Sequence, residues 1–219
     1  MSQTIQFVLA SQSPRRYELL QRLGLSFQVI TSEVSEEVST QDPAMLTSVL
    51  ANRKAMAVAE GLVCEKGSLF MREPLVEGDI FRVGPADKAI VIGADTLVVV
   101  DGKILGKPKS VVEARKMMHL LAGRSHEVYT GVALLTLQDG HQDRGRTFHE
   151  KTVVHVSEMD EIEVEEYITS KEPYDKAGGY GVQGDFCRYI TGVEGDFYNV
   201  MGLPLHRLYH ELKKLGIRL

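Results

Sequence analysis

The sequence predicts an α/β fold of the α+β kind, in which helices flank a mixed sheet. Short apolar runs alternate with segments whose apolar residues recur at helical spacing, which is typical of strands and helices in succession. The chain opens as strand–helix–strand, whereas the hairpin signal Asp101-Gly102 lies in its middle, so both parallel and antiparallel pairing are expected. With 219 residues and 43% hydrophobic content, the chain can bury a sizeable core in one domain or in two lobes around a cleft.

Two helices in the first half of the chain have start and stop signals. Ser13 can cap a helix whose first residue is Pro14, because a missing N–H costs nothing at that position, and Gly24 ends this helix. Asp42 precedes the second helix in the same way, and Gly61 ends it. The predicted order in this half is a strand at residues 5–10, the first helix, a strand at residues 27–30 and the second helix.

The second helix has apolar side chains at helical spacing that predict its buried face, namely Leu46, Val49, Leu50 and Ala57. After this helix the pattern weakens, and residues 62–88 combine Gly, Pro and charged residues without clear periodicity. We predict an inserted surface loop there, with room for a hairpin of its own.

The second half of the chain also alternates strands with helices. An apolar strand that starts at residues 89–93 is interrupted at Asp95-Thr96 and then resumes. Ser110 and Glu113 have the capping-box spacing that opens a helix. The elements predicted after that helix are two long strands at residues 127–137 and 147–156, a short acidic helix at residues 161–170 and a last helix at residues 204–215.

The composition argues against several classes of protein. The formal net charge is −5, whereas binding of a nucleic acid polymer depends on many Lys and Arg residues, so we expect no such partner. No apolar run approaches the roughly 20 residues of a membrane span, and the first residues show no signal-peptide pattern, so we expect a cytoplasmic protein without a membrane partner. Cys64 and Cys187 are expected as reduced thiols, with a disulfide as the alternative, and the histidines give no expectation of a zinc site.

The segment LASQSPRRYELL, residues 9–20, places two fixed positive charges where a strand leads into a helix. A helix N-terminus presents free N–H groups and the positive end of the helix dipole, and Ser11 and Ser13 add hydroxyl groups. Arg15 and Arg16 add planar guanidinium groups that fit phosphate oxygens. The segment therefore indicates a cradle for a phosphate chain, and the alternative is an ordinary helix cap with solvated arginines.

Acidic residues form a second candidate site. Asp95 and Thr96 lie in an apolar strand, and a buried carboxylate is unfavourable unless it is paired or bound to a cation. A carboxylate from the acidic loop after the second strand is expected to share a divalent cation with Asp95, because hard cations take oxygen ligands. The alternatives are an Asp that caps a turn and a solvated loop. The loop offers Glu33, Glu36 and Glu37.

Two lysines and a glycine-rich loop complete the candidates. Lys107 lies in the turn Gly-Lys-Pro and Lys54 lies on the second helix; either contacts phosphate or is an ordinary solvated lysine. The stretch from Lys171 to Gly184 contains four glycines, which allow close approach of the backbone to a ligand. Gln183 in this stretch supplies a donor and an acceptor, as the reading of a base edge requires.

In this order, the stretches resemble the Maf-like nucleotide pyrophosphatase family, and the resemblance covers nearly the whole chain. The main departure is the segment at residues 62–88, where the family pattern is usually tighter. The loop AGGYGVQG is similar to that of the branch that prefers dTTP and UTP. The matching segments are LASQSPRRYELL, the acidic loop, LANRKAMAVA, VIGADTLVVVDGKILGKP, EARKMMHLLAGRSHEVYTGVAL, EPYDKAGGYGVQG and GDFYNVMGLPLHRL.

The resemblance implies a single domain over residues 1–219, elongated and two-lobed like the inosine-triphosphate pyrophosphatases, with the active site in the cleft between the lobes. It implies hydrolysis of a nucleoside triphosphate, in this branch dTTP or UTP, to the monophosphate and pyrophosphate, with Mg²⁺ or Mn²⁺. A homodimer is a further expectation from the family. A non-catalytic nucleotide sensor that regulates cell division would use the same pocket and is the alternative function.

The roles known in the family transfer to matching positions of this sequence. Asp95 matches the proton acceptor, and the acidic-loop glutamate of the family aligns with Glu36, with Glu33 and Glu37 as competing positions. Our hypothesis is that Glu36 and Asp95 hold the divalent cation. Water is then expected to attack the α-phosphorus while cationic side chains bind the phosphate chain. The residues expected to bind the substrate are Ser11, Ser13, Arg15, Arg16, Lys54, Thr96, Lys107 and Gln183, of which Arg15, Thr96 and Gln183 match positions assigned to specificity.

Overall fold

The computed structural model describes residues 4–31, 33–72, 80–139, 141–142 and 145–219, without the side chains of residues 72, 80–82 and 142. Its strands are β1 (Ile5–Leu9), β2 (Phe27–Val29), β3 (Leu62–Glu65), β4 (Ser68–Arg72), β5 (Ile80–Pro85), β6 (Lys88–Val100), β7 (Lys103–Leu105), β8 (Ser125–Gln138), β9 (His141–Gln142), β10 (Arg146–Val156) and β11 (Ile190–Glu194). Its helices are α1 (Pro14–Arg22), α2 (Pro43–Glu60), α3 (Val111–Leu121), α4 (Glu161–Thr169), α5 (Phe197–Met201) and α6 (Leu205–Lys214). Short 3₁₀ turns at Glu172–Asp175, Ala177–Gly179 and Asp185–Tyr189 join α4 to β11.

One large sheet organises the molecule. Its strands follow the order β11-β10-β8-β6-β1-β2, with β7 paired to β6 and β9 paired to β8. Strand β1 is parallel to both β2 and β6, whereas the pairs along the rest of the sheet are antiparallel. The predicted α/β fold with a mixed sheet and flanking helices is therefore confirmed, whereas the single two-lobed domain stays a prediction.

The sheet is covered on both faces, because successive side chains of a strand point to opposite sides. In β1, Phe7 and Leu9 join the larger core, which contains residues of α1, α3, α4 and α6. Val8 joins the smaller core with α2. Cys64 is buried in the smaller core, Cys187 is exposed, and both are free thiols, as expected. Within the described residues, no helix combines the length and the apolar character that a membrane crossing requires.

Strand β6 is longer than the sequence predicted. The expected interruption at Asp95-Thr96 is absent, because β6 pairs with β8 continuously through both residues, with Asp95 opposite Gly131 and Thr96 opposite Thr130. A polar side chain does not break a backbone ladder, and both side chains find polar partners in the structure. The predicted hairpin turn at its end is confirmed, since Asp101 has a φ of 48° and pairs of β6 and β7 flank it.

Helix α2 lies directly against the centre of the sheet. A Cβ atom on Gly93 of β6 would lie 2.3 Å from the carbonyl oxygen of Ala51, so only a glycine permits this approach. The predicted buried face is correct at Leu50 but wrong at the other three positions, which are only partly buried. Small side chains allow the helix to approach the strands, and its buried residues are Thr47, Leu50, Ala51, Ala55, Val58 and Ala59.

Residues 62–88 differ from the predicted surface loop. Strands β3, β4 and β5 form a three-stranded antiparallel sheet, and β3 and β4 make the hairpin that the prediction allowed. Leu62 and Leu69 are buried in the smaller core. Strands β3 and β4 have the sequences LVCE and SLFMR, and neither shows the regular alternation of apolar and polar residues that predicts a strand from spacing. Residues 73–79 lie outside the described part of the chain.

Candidate functional site

A cavity of about 1120 Å³ brings every predicted site residue together. Its walls come from the β1–α1 junction, the middle of β6, the acidic loop, the Gly-Lys-Pro turn and the glycine-rich loop. Glu33 and Glu36 line the cavity, whereas Glu37 is absent from its lining, which leaves two of the three competing glutamates. The predicted residues that line it are Ser11, Ser13, Arg15, Arg16, Glu36, Lys54, Asp95, Thr96, Lys107 and Gln183.

The sheet explains why basic and acidic residues meet. Strand β1 lies beside β6 and parallel to it, with Leu9 opposite Ile92. The chain leaves β1 into the N-terminus of α1 close to the point where β6 continues to Asp95. Ser13 is the N-cap residue but makes no side-chain cap hydrogen bond, which corrects the expected capping role of its hydroxyl. That hydroxyl lies in the cavity wall instead.

Arg16 is bound into the protein by three hydrogen bonds. Its Nε donates to the carbonyl oxygen of Gly202 at 2.8 Å, its Nη1 to the Oγ of Ser11 at 3.0 Å and its Nη2 to the Oγ1 of Thr96 at 3.0 Å. All three acceptors are neutral. Burial, together with the charge of Arg15 and against the attraction of Asp95, lowers the pKa of the Arg16 guanidinium. A fixed cation with neutral partners makes the cavity favourable for an anion.

A buried hydroxyl network continues from Arg16 across the sheet. Thr96 and Thr130 share a hydrogen bond of 2.9 Å between their hydroxyls, and Thr130 donates to the carbonyl oxygen of Asn199 at 2.9 Å. Because Thr130 has one proton, Thr96 is the donor within the pair. The amide of Asn199 donates to Val128 and to Thr152. The hydroxyl of Thr96 is thus largely engaged by the protein, and its predicted contact with the base stays a prediction.

On the acidic side of the cavity, the ammonium group of Lys54 lies between two carboxylates. Lys54 Nζ lies 2.5 Å from Asp95 Oδ1 and 3.5 Å from Glu36 Oε1, so carboxylates from β6 and the acidic loop meet at one ammonium group on α2. The side chain of Asp95 is 11% exposed and that of Glu36 is 72% exposed. Lys54, predicted to contact phosphate, has carboxylate partners here.

The two carboxylates also fit a divalent cation. Among the described residues, no group of three or more His, Cys, Asp or Glu side chains is placed to hold a metal ion. Mg²⁺, however, is usually bound by one or two carboxylates together with phosphate oxygens of the substrate. Asp95 and Glu36 are the oxygen donors that converge on a positive charge, and they suit such an ion.

Three other predicted residues are open to a ligand. The side chains of Arg15, Lys107 and Gln183 line the cavity and make no hydrogen bond or ion pair with another described residue. Arg15 therefore differs from Arg16, although the sequence predicts that both guanidinium groups bind phosphate oxygens.

Sequence reasoning missed an ion pair in the cavity wall. Lys176 Nζ donates to Asp175 Oδ1 at 2.6 Å, and both residues line the cavity. Partial burial opposes ionisation of Asp175, but Lys176 and the charge of Arg15 hold its pKa below the usual value. Their position beside the glycine-rich loop in EPYDKAGGYGVQG is the only sequence signal for them.

A histidine pair on α6 is a second feature that was not predicted from the sequence. His206 and His210 have the H-x-x-x-H spacing on α6, and their Nε2 atoms lie 3.1 Å apart. Both are exposed, and neither lines the cavity. Two imidazoles are fewer than the three or four protein ligands of zinc sites.

The cavity combines fixed cations, a helix N-terminus and converging carboxylates, which are groups suited to a polyphosphate ligand together with a cation. A family model described as Maf-like protein matches residues 6–215. The chain belongs to this family.

Named relatives cover nearly the whole chain. A dTTP/UTP pyrophosphatase of Agathobacter rectalis is 42% identical over 212 residues, which are 97% of this chain and 98% of that protein. A dTTP/UTP pyrophosphatase of Bacillus cytotoxicus is 43% identical over 209 residues, which are 95% of this chain and 94% of that protein. Among solved structures, a HAM1 protein from Coxiella burnetii is 17% identical and has a TM-score of 0.46, with 96% of this chain and 99% of that chain covered.

Proposed function

We propose that this protein is a nucleoside triphosphate pyrophosphatase that hydrolyses dTTP and UTP to the monophosphate and pyrophosphate. The observation that carries the proposal is that Arg15 and Lys107, which are open to a ligand, line the same cavity as Asp95. The dTTP/UTP pyrophosphatase relatives at about 42% identity support the choice of substrate.

The cationic residues bind the phosphate chain of the substrate. Arg15 and Lys107 contact its oxygens directly, and the N-terminus of α1 adds N–H groups and the positive end of its dipole. Arg16 acts mainly through its fixed charge, because three of its five N–H groups already have protein acceptors. These charges stabilise the negative charge that builds up on the leaving pyrophosphate.

Asp95 accepts a proton from the water that attacks the α-phosphorus. Lys54, which bonds one oxygen of this carboxylate, fixes its orientation toward the cavity. Glu36 and Asp95 would hold a divalent cation, Mg²⁺ or Mn²⁺, which neutralises phosphate charge when bound. Gln183 contacts the edge of the pyrimidine with its amide donor and acceptor.

The experiment that tests this function measures pyrophosphate release from dTTP, UTP, CTP and ATP, with Mg²⁺ and with Mn²⁺. We expect turnover of dTTP and UTP, and a fall of roughly 10²–10⁴-fold in kcat for Asp95→Asn, because an amide cannot accept the proton. Asp101→Asn is the matched control, since it changes another aspartate of the same hairpin at a left-handed position that asparagine tolerates.

A different outcome would point to the other candidate. Tight binding of dTTP without pyrophosphate release by the wild-type protein would contradict an enzyme and favour the nucleotide sensor. Full turnover by a folded Asp95→Asn variant would contradict the proposed role of Asp95 as proton acceptor, but not the proposed enzyme activity. Homodimer formation and cytoplasmic location stay predictions.

A further inference from the structure

The turn that carries Gln183 is closed over a carboxylate group. Gly184 N–H donates to the carbonyl oxygen of Gly181 at 3.1 Å, which places Gln183 at the tip of the turn. Glu172 Oε2 accepts a hydrogen bond of 2.7 Å from the N–H of Asp185. A Cβ atom on Gly184 would lie 2.2 Å from Glu172 Oε1, so the carboxylate lies directly against the backbone of the turn.

Tyr167 holds this carboxylate in place. Its hydroxyl oxygen lies 3.1 Å from Glu172 Oε1 and 3.2 Å from the carbonyl oxygen of Gly179, and its one proton is shared between these two acceptors. The ring is buried and packs on Phe186, with 5.1 Å between ring centroids. Burial and the charge of Glu172 raise the pKa of the Tyr167 hydroxyl, so it stays a donor. Tyr167 and Glu172 therefore join Gly179 to Asp185, on either side of Gln183.

The start of the same loop is attached to the phosphate side of the cavity. Gly178 N–H donates to the carbonyl oxygen of Gly106 at 3.0 Å, next to Lys107. The hydroxyl of Tyr180 lies 2.6 Å from Nε2 of the buried His126. The loop is thus anchored before the turn by backbone and ring contacts, whereas the turn itself is anchored by Glu172.

We propose that Glu172 is a positioning residue for nucleobase selection, which fixes the turn so that the amide of Gln183 points at the base. The proposal rests on the proposed function. A loop with four glycines has large conformational freedom. The side-chain amide of Gln183 contains both a donor and an acceptor, so it discriminates between bases only when the backbone that carries it is fixed. Glu172 orders this backbone and is not among the residues that line the cavity.

The experiment compares kcat and KM for UTP and CTP in the wild type, Glu172→Ala and Glu172→Gln, with Mn²⁺ present. For Glu172→Ala we expect the ratio of kcat/KM for UTP over CTP to fall about tenfold, mainly through a higher KM for UTP. For Glu172→Gln we expect a ratio within about twofold of the wild type. Its amide oxygen still accepts from Asp185 N–H, and its NH₂ donates to Tyr167, whose hydroxyl still donates to Gly179.

A second measurement separates selection from a general loss of structure. The inhibition constant of inorganic tripolyphosphate against UTP hydrolysis should not change in Glu172→Ala, because this inhibitor has no base. A rise equal to the rise in KM for UTP would overturn the proposal, and so would a folded Glu172→Ala variant with the wild-type ratio.

Tyr167→Phe decides the matter if Glu172→Ala does not fold, since it removes only the hydroxyl that holds Glu172. A lower UTP-to-CTP ratio in that variant supports the proposal, and an unchanged ratio overturns it. Wild-type protein without any turnover contradicts the proposed function itself, whereas wild-type turnover without preference between UTP and CTP contradicts only the role of Glu172.

Discussion

Two neighbouring arginines in the sequence have different physical situations in the fold. Arg16 uses its guanidinium to join α1 to β6 and to the chain before α6, through Ser11, Thr96 and Gly202. The side chain of Arg15 has no hydrogen-bond partner or ion-pair partner among the described residues and borders the cavity. The first is part of the wall that shapes the site, and the second is available to a ligand.

Replacement of each arginine by lysine should separate these roles. Arg16→Lys should lower the free energy of unfolding by about 2–4 kcal/mol, because hydrogen bonds from a charged donor contribute about 1.5–3 kcal/mol each and an ammonium group cannot reproduce the planar set. Arg15→Lys should change it by less than about 0.5 kcal/mol and should mainly raise KM. Urea unfolding and steady-state kinetics on both variants check this, and equal losses of stability would refute the distinction.

At the level of elements, glycines determine where α2 lies. A Cβ atom on Gly131 of β8 would lie 2.3 Å from the backbone of Thr47, and one on Gly93 of β6 would meet Ala51 at the same distance. The helix therefore rests on two neighbouring central strands almost without intervening side chains. This close packing places Lys54 within reach of Asp95.

A methyl group at Gly131 should push α2 away from the sheet. We expect Gly131→Ala to lower the free energy of unfolding by about 1–3 kcal/mol, because the added atom meets backbone rather than a flexible side chain. It should also lower turnover, since Lys54 moves with the helix. Gly61→Ala is the matched control, because its φ is −80° and its nearest neighbour to an added Cβ is 3.5 Å away. Urea unfolding of both variants is the measurement, and equal stabilities would show that α2 adapts without strain.

Caps and turns made most elements predictable from the sequence. The signals at Asp42 and Gly61 correctly predicted where α2 begins and ends. The dipeptide Asp101-Gly102 correctly predicted the hairpin between β6 and β7. The buried face of α2 was not predictable from the helix alone. Glycines on β6 and β8, which are distant from α2 in the sequence, determine which face is buried, and the largest side chains of the helix do not. Strands β3 and β4 were missed because each is only four or five residues long and lacks a regular alternation of apolar and polar residues.

For the whole molecule, the cluster of site residues was predictable, but their partners were not. Fixed charges beside or within apolar segments, such as Arg15 and Asp95, indicated the site from the sequence alone. The bonds of Arg16 to Gly202 and of Thr96 to Thr130 join positions 186 and 34 residues apart in the chain. No local pattern records such pairs, because they depend on the register of β6 with β8 and on how α1 meets the chain before α6.

The glycine-rich loop is joined to the sheet by a buried titratable group, which makes the stability of the molecule sensitive to acid. His126 on β8 has one nitrogen bonded to Tyr180, while its Nδ1 is buried without a partner among the described residues. Burial, with a smaller contribution from the charge of His155, lowers the pKa of His126 to about 4. In the unfolded chain the same group titrates near 6.5, so the unfolded state binds the proton first as the pH falls.

This difference in pKa predicts a loss of stability between pH 6.5 and pH 4. Above pH 6.5 His126 is neutral in both states and has no effect, whereas below it the unfolded state gains the proton, and the loss reaches about 3 kcal/mol near pH 4. His126→Gln removes the titration, so the fall in the free energy of unfolding from pH 7 to pH 4 should be smaller by that amount than in the wild type. His149→Gln, at an exposed histidine on β10, is the matched control and should keep the wild-type fall. Urea unfolding of the three proteins across this range measures the effect, and parallel curves for wild type and His126→Gln would contradict a buried neutral histidine at this position.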